Sequence, residues 1–393
     1  MTVYFDNAAT APVRDEAARV FLRVTREAYG NPSSAHAEGR RASDELAATR
    51  AALAGAVGAK PSEICFTSGG TESDNLALFG AARTARGAGT GRHIIISAVE
   101  HDAVRAPAER LASQGWDVTA LRPDADGRIP VAELSSALRG DTAIVSVMLV
   151  NNETGAVNPV AEYAGEIKRR GLSAVLHTDA VQALGKLPLS FKSLGADLMT
   201  VTAHKIGAPR GVGALIIRDG LKLRPTILGG GQEGGRRSGT EPLALIAAFA
   251  EAARLGAAEL AQNAENARAL RERLVAGIKS RLPGAVFIGA GDSPYILCVS
   301  LPGYRGEVLQ SALDAEGICV SRGSACKRGA RSHVLEAMRL PAAVIDGAIR
   351  VSLAPGSTAE HAERFIAKLA EIAGRLFTRG GGPPPNPTRK ELS

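Results

Sequence analysis

Residues 64–75 have the sequence ICFTSGGTESDN, which is the most informative part of the sequence about the fold. An apolar run ends at Ser68, and two glycines then lead into a segment with helical periodicity. This order predicts a strand, a tight turn and a helix whose first N–H groups have no partner within the helix. Such N–H groups, together with the positive end of the helix, can hold a phosphate. The turn matches neither the Walker A motif nor the dinucleotide fingerprint, so a plain capped turn stays open as an alternative.

Strand and helix patterns alternate from this stretch onward. The predicted strands are residues 64–67, 93–97, 117–121, 143–149, 174–178, 197–203 and 213–218. The predicted helices between them are residues 71–85, 103–113, 131–138 and 160–169. We therefore predict an α/β fold with a seven-stranded, mostly parallel sheet and right-handed crossovers.

The length of 393 residues exceeds what one ordinary core accommodates, which predicts two domains. Residues 241–282 are predicted to form one long connecting helix. A smaller α+β domain is expected after it, with strands at 295–301, 317–321 and 348–353 and helices at 307–315, 334–338 and 361–375. We predict a large domain at 14–258, a small domain made of 1–13 and 259–378, and a disordered Gly/Pro-rich tail at 379–393.

Composition argues against several functional classes. The net charge is +7, but basic residues are scattered among acidic ones and aromatic residues are few, so we expect no nucleic-acid partner. No apolar run approaches the ~20 residues of a membrane span, and no secretory signal is readable, so the expected location is the cytoplasm. The four cysteines lack the spacing of metal ligands or of a disulfide framework, so no metal site is predicted.

Polar residues follow five of the predicted strands. They are Ser68 to Thr71, Glu100 and His101, Asn151 to Glu153, Asp179, and His204 and Lys205. Ligands of open α/β sheets bind at the carboxyl ends of the strands, so we expect these residues to form one site. The GGGQEG sequence at 229–234 does fit a dinucleotide pattern, but no apolar helix follows it, which argues against a nicotinamide site.

The chemistry of this set points to pyridoxal 5′-phosphate (PLP). Lys205 is expected on a turn above the sheet, where its amine can bind the PLP aldehyde. Asp179 can pair with the pyridinium nitrogen, and Gln182, one helical turn along, can reach the phenolic oxygen. His101 is expected across the ring face. Each residue has an ordinary explanation by itself, and it is their combination that predicts the cofactor.

Seven motifs extend this pattern over nearly the whole chain. They are YFDNAAT at 4–10, GNPSS at 30–34, FTSGGTESDN at 66–75, VNNETG at 150–155, TDAVQ at 178–182, AHK at 203–205 and RSGT at 237–240. With these motifs the chain resembles cysteine desulfurases of the NifS/IscS type, in the class V aminotransferase family. The resemblance implies the fold of a fold type I PLP-dependent transferase.

The resemblance also implies roles for individual residues. Lys205 would form the Schiff base with PLP, and His101 would stack on the ring and shuttle protons. The implied cofactor-binding residues are Gly70, Thr71, His101, Asn152, Asp179, Gln182, Thr202, His204 and Lys205, joined by the partner's Thr240 in a homodimer. Asn152 and Arg350 would bind the carboxylate of the substrate.

Cys326 is the residue on which the reaction type depends. It lies in SRGSACKRGA at 321–330, where small residues predict a mobile loop and nearby cations favour the thiolate. The resemblance implies that this thiolate attacks the sulfur of L-cysteine, that L-alanine is released, and that the persulfide serves a sulfur-acceptor protein, as in iron–sulfur cluster assembly. Arg322 departs from the family pattern, and the stretch after Cys326 is short, which bears on loop reach.

Three alternatives stay open at this point. A selenocysteine lyase and another class V aminotransferase activity would use the same scaffold. A non-catalytic sulfur carrier or scaffold protein would retain the fold without needing Lys205, Asp179, His101 and Cys326 together.

Overall fold

The computed structural model describes residues 2–89, 91–322 and 331–380, and a large sheet forms its centre. The strands are β1 (Val3–Tyr4), β2 (Ile64–Thr67), β3 (His93–Ser97), β4 (Asp117–Leu121), β5 (Thr142–Ser146), β6 (Val175–Asp179), β7 (Leu198–Thr202), β8 (Gly213–Ile217), β9 (Val286–Ile288), β10 (Ile296–Ser300), β11 (Ile318–Cys319) and β12 (Ala348–Ser352). The large sheet has seven strands in the order β2-β8-β7-β6-β5-β3-β4. Only β8 runs antiparallel to its neighbours, so the prediction of a seven-stranded, mostly parallel sheet is confirmed.

Helices cover the large sheet and surround the smaller ones. They are α1 (Asp15–Glu27), α2 (Ala37–Ala56), α3 (Gly70–Ala88), α4 (Asp102–Ala112), α5 (Val131–Ala137), α6 (Val160–Arg169), α7 (Phe191–Leu194), α8 (Leu243–Ala258), α9 (Leu260–Arg281), α10 (Gly306–Ala315), α11 (His333–Ala337), α12 (Ala342–Asp346) and α13 (Ala359–Gly380). Every residue of β5, β7 and β8 is buried, because the sheet is covered on both faces. No described helix combines the length and the apolar composition that crossing a bilayer requires.

Two small sheets lie beside the large one. β12, β10 and β9 form an antiparallel sheet, and β1 pairs in parallel with β11, far along the chain. The backbone after β1 continues onto β12, where Asp6 bridges Ser352. It then reaches the large sheet, where Ala11 N–H donates to the His204 carbonyl at 2.8 Å. The N-terminal segment therefore runs from the small sheets to the site of Lys205.

Several predicted elements differ from the structure. The strand predicted at 143–149 ends at Ser146, because the chain beyond it bends and the Met148 N–H donates to the Glu100 carboxyl group at 2.7 Å. The single helix predicted at 241–282 is two helices, α8 and α9, which meet at Glu259. Glu259 is held there by Arg14, whose guanidinium donates to both carboxylate oxygens at 2.6 and 2.8 Å.

The last described helix extends into the segment predicted as a tail. Helix α13 continues to Gly380, past the predicted start of the tail at residue 379, and the rest of that predicted tail lies outside the described residues. The division into domains at residues 14–258 and 259–378 stays a prediction.

Candidate active site

The carboxyl ends of the large sheet border a cavity of about 290 Å³. Most of the predicted site residues line it: Gly70, Thr71, His101, Asn152, Asp179, Gln182, Thr202, His204, Lys205 and Arg350. Thr240 is exposed and does not line this cavity in the single described chain. Cys326 lies outside the described residues. The structure therefore brings together the strand-end residues, as parallel strands that end at one sheet edge predict.

One end of the cavity is the N-terminus of α3. The turn before this helix packs directly against β8, since a Cβ on Gly213 would lie 2.8 Å from Gly69 Cα. Glu72 fixes the turn by accepting from Ser68 N–H at 2.7 Å and pairing with Arg237 at 2.8 Å. The first N–H groups of α3 therefore have a fixed direction and form an anion site with the positive end of the helix.

Thr202 and His204 lie beside this helix end. The Thr202 hydroxyl donates to the Val212 carbonyl at 3.3 Å, and His204 Nδ1 lies 3.2 Å from the Thr10 hydroxyl. Burial, together with the nearby charges of Lys205 and Arg210, lowers the pKa of His204 to about 4. His204 is therefore neutral at physiological pH and acts as a hydrogen-bonding group.

Asp179 ends β6 in the middle of the cavity and is 6% exposed. Its Oδ1 accepts from Val181 N–H at 2.8 Å. Burial raises the pKa of Asp179, and this outweighs the Val181 hydrogen bond and the positive charges of His101 and Lys205, which lower it. The carboxylate thus sits where a further positive charge would stabilise it.

Lys205 contacts the N-terminal segment across the cavity. Its Nζ donates to the carbonyls of Ala8 and Ala9 at 2.6 and 2.7 Å. Gln182 Nε2 donates to the same Ala8 carbonyl at 2.9 Å. The sequence predicted Gln182 on a helix, but residues 181–186 form turns, and the side chain reaches the cavity from that turn segment.

Lys186 does not line the cavity, but it contacts Gln182, which does, and sequence reasoning missed this lysine. Its Nζ donates to Gln182 Oε1 at 3.0 Å, which fixes the orientation of the Gln182 amide. Burial lowers the pKa of Lys186 to about 7, and the charges of Lys205 and Arg350 act in the same direction. The spacing of four residues from Gln182 was the available signal, but nothing local indicates that a lysine there is buried.

His101 begins α4 as its N-cap. The ring nitrogen Nδ1 accepts from Ala103 N–H at 3.1 Å. An accepting Nδ1 carries no hydrogen, so in the neutral ring the proton is on Nε2. The cap thereby sets the ring orientation and makes Nε2 the donor of this histidine.

Arg350 lies on β12 and is 2% exposed. Its Nη2 donates to Asp6 Oδ1 at 2.7 Å, and its Nη1 donates to the Asn152 carbonyl at 2.9 Å. Two neighbours thus hold the planar guanidinium at the cavity wall. A guanidinium held in this way can bind a carboxylate with two parallel hydrogen bonds.

A buried polar layer beneath Asp179 was also missed. Asp74, on α3, is 1% exposed, and burial together with the charge of Asp179 raises its pKa well above the usual range. Asp74 Oδ1 lies 3.5 Å from Nε2 of His177, whose pKa burial lowers to about 3. Glu100 lies nearby, and burial raises its pKa to about 8. The raised pKa of Asp74 favours its protonated form, and His177 is neutral at physiological pH.

These residues fit PLP. The N-terminus of α3 suits the phosphate, and the protonated ring nitrogen would supply the positive charge that buried Asp179 lacks. Lys205 presents a primary amine in the same cavity. The donor set therefore matches each polar end of the cofactor.

Comparisons with known proteins agree with this chemistry. Residues 3–365 match the family model described as Aminotransferase class-V. "Cysteine desulfurase 2" of Trichormus variabilis is 41% identical over 379 residues, which are 95% of this chain and 94% of that protein. A solved "NIFS-LIKE PROTEIN" is 38% identical with a TM-score of 0.90, covering 96% of this chain and 100% of the other. A solved structure of "SspA in complex with cysteine" is 31% identical with a TM-score of 0.78, covering 91% and 100%.

Proposed function

Because this chain belongs to the class V aminotransferase family, we propose that it is a PLP-dependent cysteine desulfurase that converts L-cysteine to L-alanine. One observation carries the proposal: the amine of Lys205, the carboxylate of Asp179 and the guanidinium of Arg350 face one cavity. An amine and a buried carboxylate suit PLP, and the guanidinium suits an amino-acid carboxylate. Relatives named cysteine desulfurases share about two fifths of the sequence over nearly its full length.

The cofactor residues divide the task of holding PLP. When bound, PLP supplies an electron sink for negative charge at the α-carbon of an amino acid. The proposed phosphate ligands are the N–H groups of Gly70 and Thr71 with the side chains of Thr202 and His204. Asp179 would hold the ring nitrogen, Gln182 would hold the phenolic oxygen, and His101 would lie against the ring.

The substrate residues hold the amino acid and move its protons. Arg350 and Asn152 bind the carboxylate, which turns the α-hydrogen toward Lys205. The Nζ of Lys205, in its unprotonated form, takes that proton. His101, with its hydrogen on Nε2, donates a proton on the other side of the cavity.

Cys326 is the proposed sulfur acceptor within the enzyme. Its thiolate attacks the substrate sulfur, so an S–S bond forms and the C–S bond breaks. The electron pair of the broken bond goes to the β-carbon, which is protonated to give a methyl group. Lys205 returns a proton to the α-carbon, and L-alanine is released. The persulfide on Cys326 passes sulfur to an acceptor protein, for iron–sulfur cluster assembly or another use. Sequence context and the named relatives support this assignment.

A homodimer completes the proposal. Thr240 is exposed in the single chain, as expected of a residue that serves another subunit, and the partner's Thr240 would join the phosphate ligands. The small domain proposed at residues 1–13 and 259–378 carries Cys326 and Arg350. The cytoplasmic location stays a prediction.

The test is incubation of the purified holoenzyme with L-cysteine. We expect equal amounts of alanine and transferred sulfur, and a mass increase of one sulfur atom on the peptide that contains Cys326. Cys326→Ser should keep the PLP absorption band and lose sulfur release, whereas Cys319→Ser, in the small sheet, is the matched control and should react normally. Formation of a keto acid without a persulfide would show another class V activity instead.

A further inference from the structure

Two residues that follow Cys326 closely in sequence bind the walls of the cavity. Ser332 and His333 come six and seven residues after Cys326. Ser332 is 7% exposed, and His333 lines the cavity. Neither residue belongs to the PLP or substrate set described above.

Ser332 is fixed by a hydrogen bond in each direction. Its hydroxyl caps α11 by accepting from Leu335 N–H at 3.1 Å, and it donates its one hydrogen to Glu153 Oε2. Glu153 is 2% exposed and follows Asn152, the proposed substrate ligand. Burial raises the pKa of Glu153, and the hydrogen bond from Ser332 opposes this effect. Ser332 therefore binds the loop that carries Asn152.

His333 binds the other side of the cavity. Its Nε2 lies 2.9 Å from the backbone carbonyl of Glu100. A carbonyl oxygen only accepts, so the hydrogen of His333 is on Nε2. Glu100 precedes His101, the histidine that caps α4, so His333 is bound to the backbone that positions His101.

Helix α11 depends on these contacts for its place. It runs only from His333 to Ala337, and a helix this short does not form by itself. Val334 and Leu335 are each 1% exposed and attach it to the core. Apolar packing buries α11. The hydrogen bonds of Ser332 and His333 are directional, and they hold the N-terminus of α11 against residues 153 and 100.

We propose that Ser332 and His333 are positioning residues for sulfur transfer. They act by fixing their own segment of chain, which follows Cys326 in sequence, to the cavity wall. This inference rests on the proposed function. Six residues of chain span at most about 20 Å, so the covalent chain between Cys326 and a fixed Ser332 is short. Attachment of one end of a short segment raises the effective concentration of a reactive group at its other end, which here is the Cys326 thiolate. PLP binding and α-proton removal need no such attachment.

The test separates a step that needs Cys326 from one that does not. Exchange of the α-hydrogen of L-alanine in D₂O needs Lys205 and PLP but no protein thiol. Persulfide formation from L-cysteine in a single turnover needs Cys326 as well. Ser332→Ala and His333→Ala should each slow persulfide formation about tenfold, the effect of one lost hydrogen bond, and leave the exchange rate within twofold.

Conservative variants and a matched control complete the design. Ser332→Thr keeps the hydroxyl, and His333→Gln keeps a donor near the Nε2 position, so both should restore most of the rate. Ser190 caps the short helix α7 away from the cavity, and Ser190→Ala should change neither step. If one alanine variant fails to fold, the other alanine variant and the conservative variant at the same position still test the proposal.

Two results would overturn the inference. In the first, persulfide formation in both alanine variants equals that of the unmodified protein. In the second, exchange and persulfide formation fall by the same factor, which would place both residues in cofactor or substrate binding. Failure of the proposed function looks different, because the unmodified protein would then exchange the α-hydrogen and form no persulfide at all.

Discussion

Replacement of Arg350 by lysine tests how the cavity recognises its substrate. The guanidinium donates to Asp6 and to the Asn152 carbonyl and, in the proposed complex, also donates twice to the substrate carboxylate. A lysine has one nitrogen and three hydrogens, so it cannot keep both wall contacts and still make the paired bonds. We expect Arg350→Lys to lose at least one charge-assisted hydrogen bond to the substrate.

The magnitude follows from the burial of this site. A hydrogen bond to a charged group contributes about 1.5–3 kcal/mol. Loss of one such bond lowers kcat/KM for L-cysteine roughly 10- to 150-fold. The loss should appear mainly in KM, because the carboxylate is bound in both the ground state and the transition state. The PLP absorption band should not change, since Arg350 is not among the proposed cofactor ligands.

The assay is steady-state alanine formation over a range of L-cysteine concentrations. Arg128→Lys is the matched control, because Arg128 pairs with Asp292 but does not line the cavity. It should leave KM within twofold of the unmodified value. If Arg350→Lys also leaves KM within twofold, Arg350 does not bind the substrate carboxylate, and the proposed pair of hydrogen bonds from its guanidinium is wrong.

Three further predictions concern the cofactor site and its support. Asp179→Asn removes the charge opposite the ring nitrogen and should weaken PLP binding about tenfold or more. An absorbance titration of the apoprotein measures this, and unchanged affinity would contradict the role of Asp179. Gly213→Ala places a Cβ 2.8 Å from Gly69 Cα and should cost about 1–3 kcal/mol of stability, seen as a lower Tm, whereas Gly165→Ala, with open space around it, should not lower the Tm. Lys186 has a pKa of about 7 when folded and an ordinary value of 10.5, so between these values the unfolded chain binds more protons. The free energy of unfolding, relative to Lys186→Met, should therefore rise by up to about 1.4 kcal/mol per pH unit between pH 7 and 10 in urea titrations at fixed PLP, and a flat difference would rule out the shifted pKa.

Strand-end residues were predictable because they depend on one geometric rule. Asp179, His204 and Lys205 follow apolar runs, and parallel strands place such positions at one edge of the sheet. The rule needs only local patterns and the strand directions. It therefore holds although some strand limits differ by a few residues.

Other features depend on contacts between distant parts of the chain. The lowered pKa of Lys186 follows from burial against elements that its own sequence neighbourhood does not reveal. The Asp6 to Arg350 pair joins the first residues to β12. Gln182 lines the predicted site, but its position was predicted from helical spacing, and the structure has turns at residues 181–186 instead of a helix. Strand β1 is too short to give an alternating pattern.

The path of the N-terminal segment has a practical consequence. Residues 8 and 9 provide the two carbonyl oxygens beside the Lys205 amine, while residues 3 and 4 are held in a small sheet by β11. A deletion of the first ten residues would therefore remove part of the active-site wall as well as one strand. A truncation within this segment would therefore disturb the surroundings of the lysine even though it removes no residue of the large sheet.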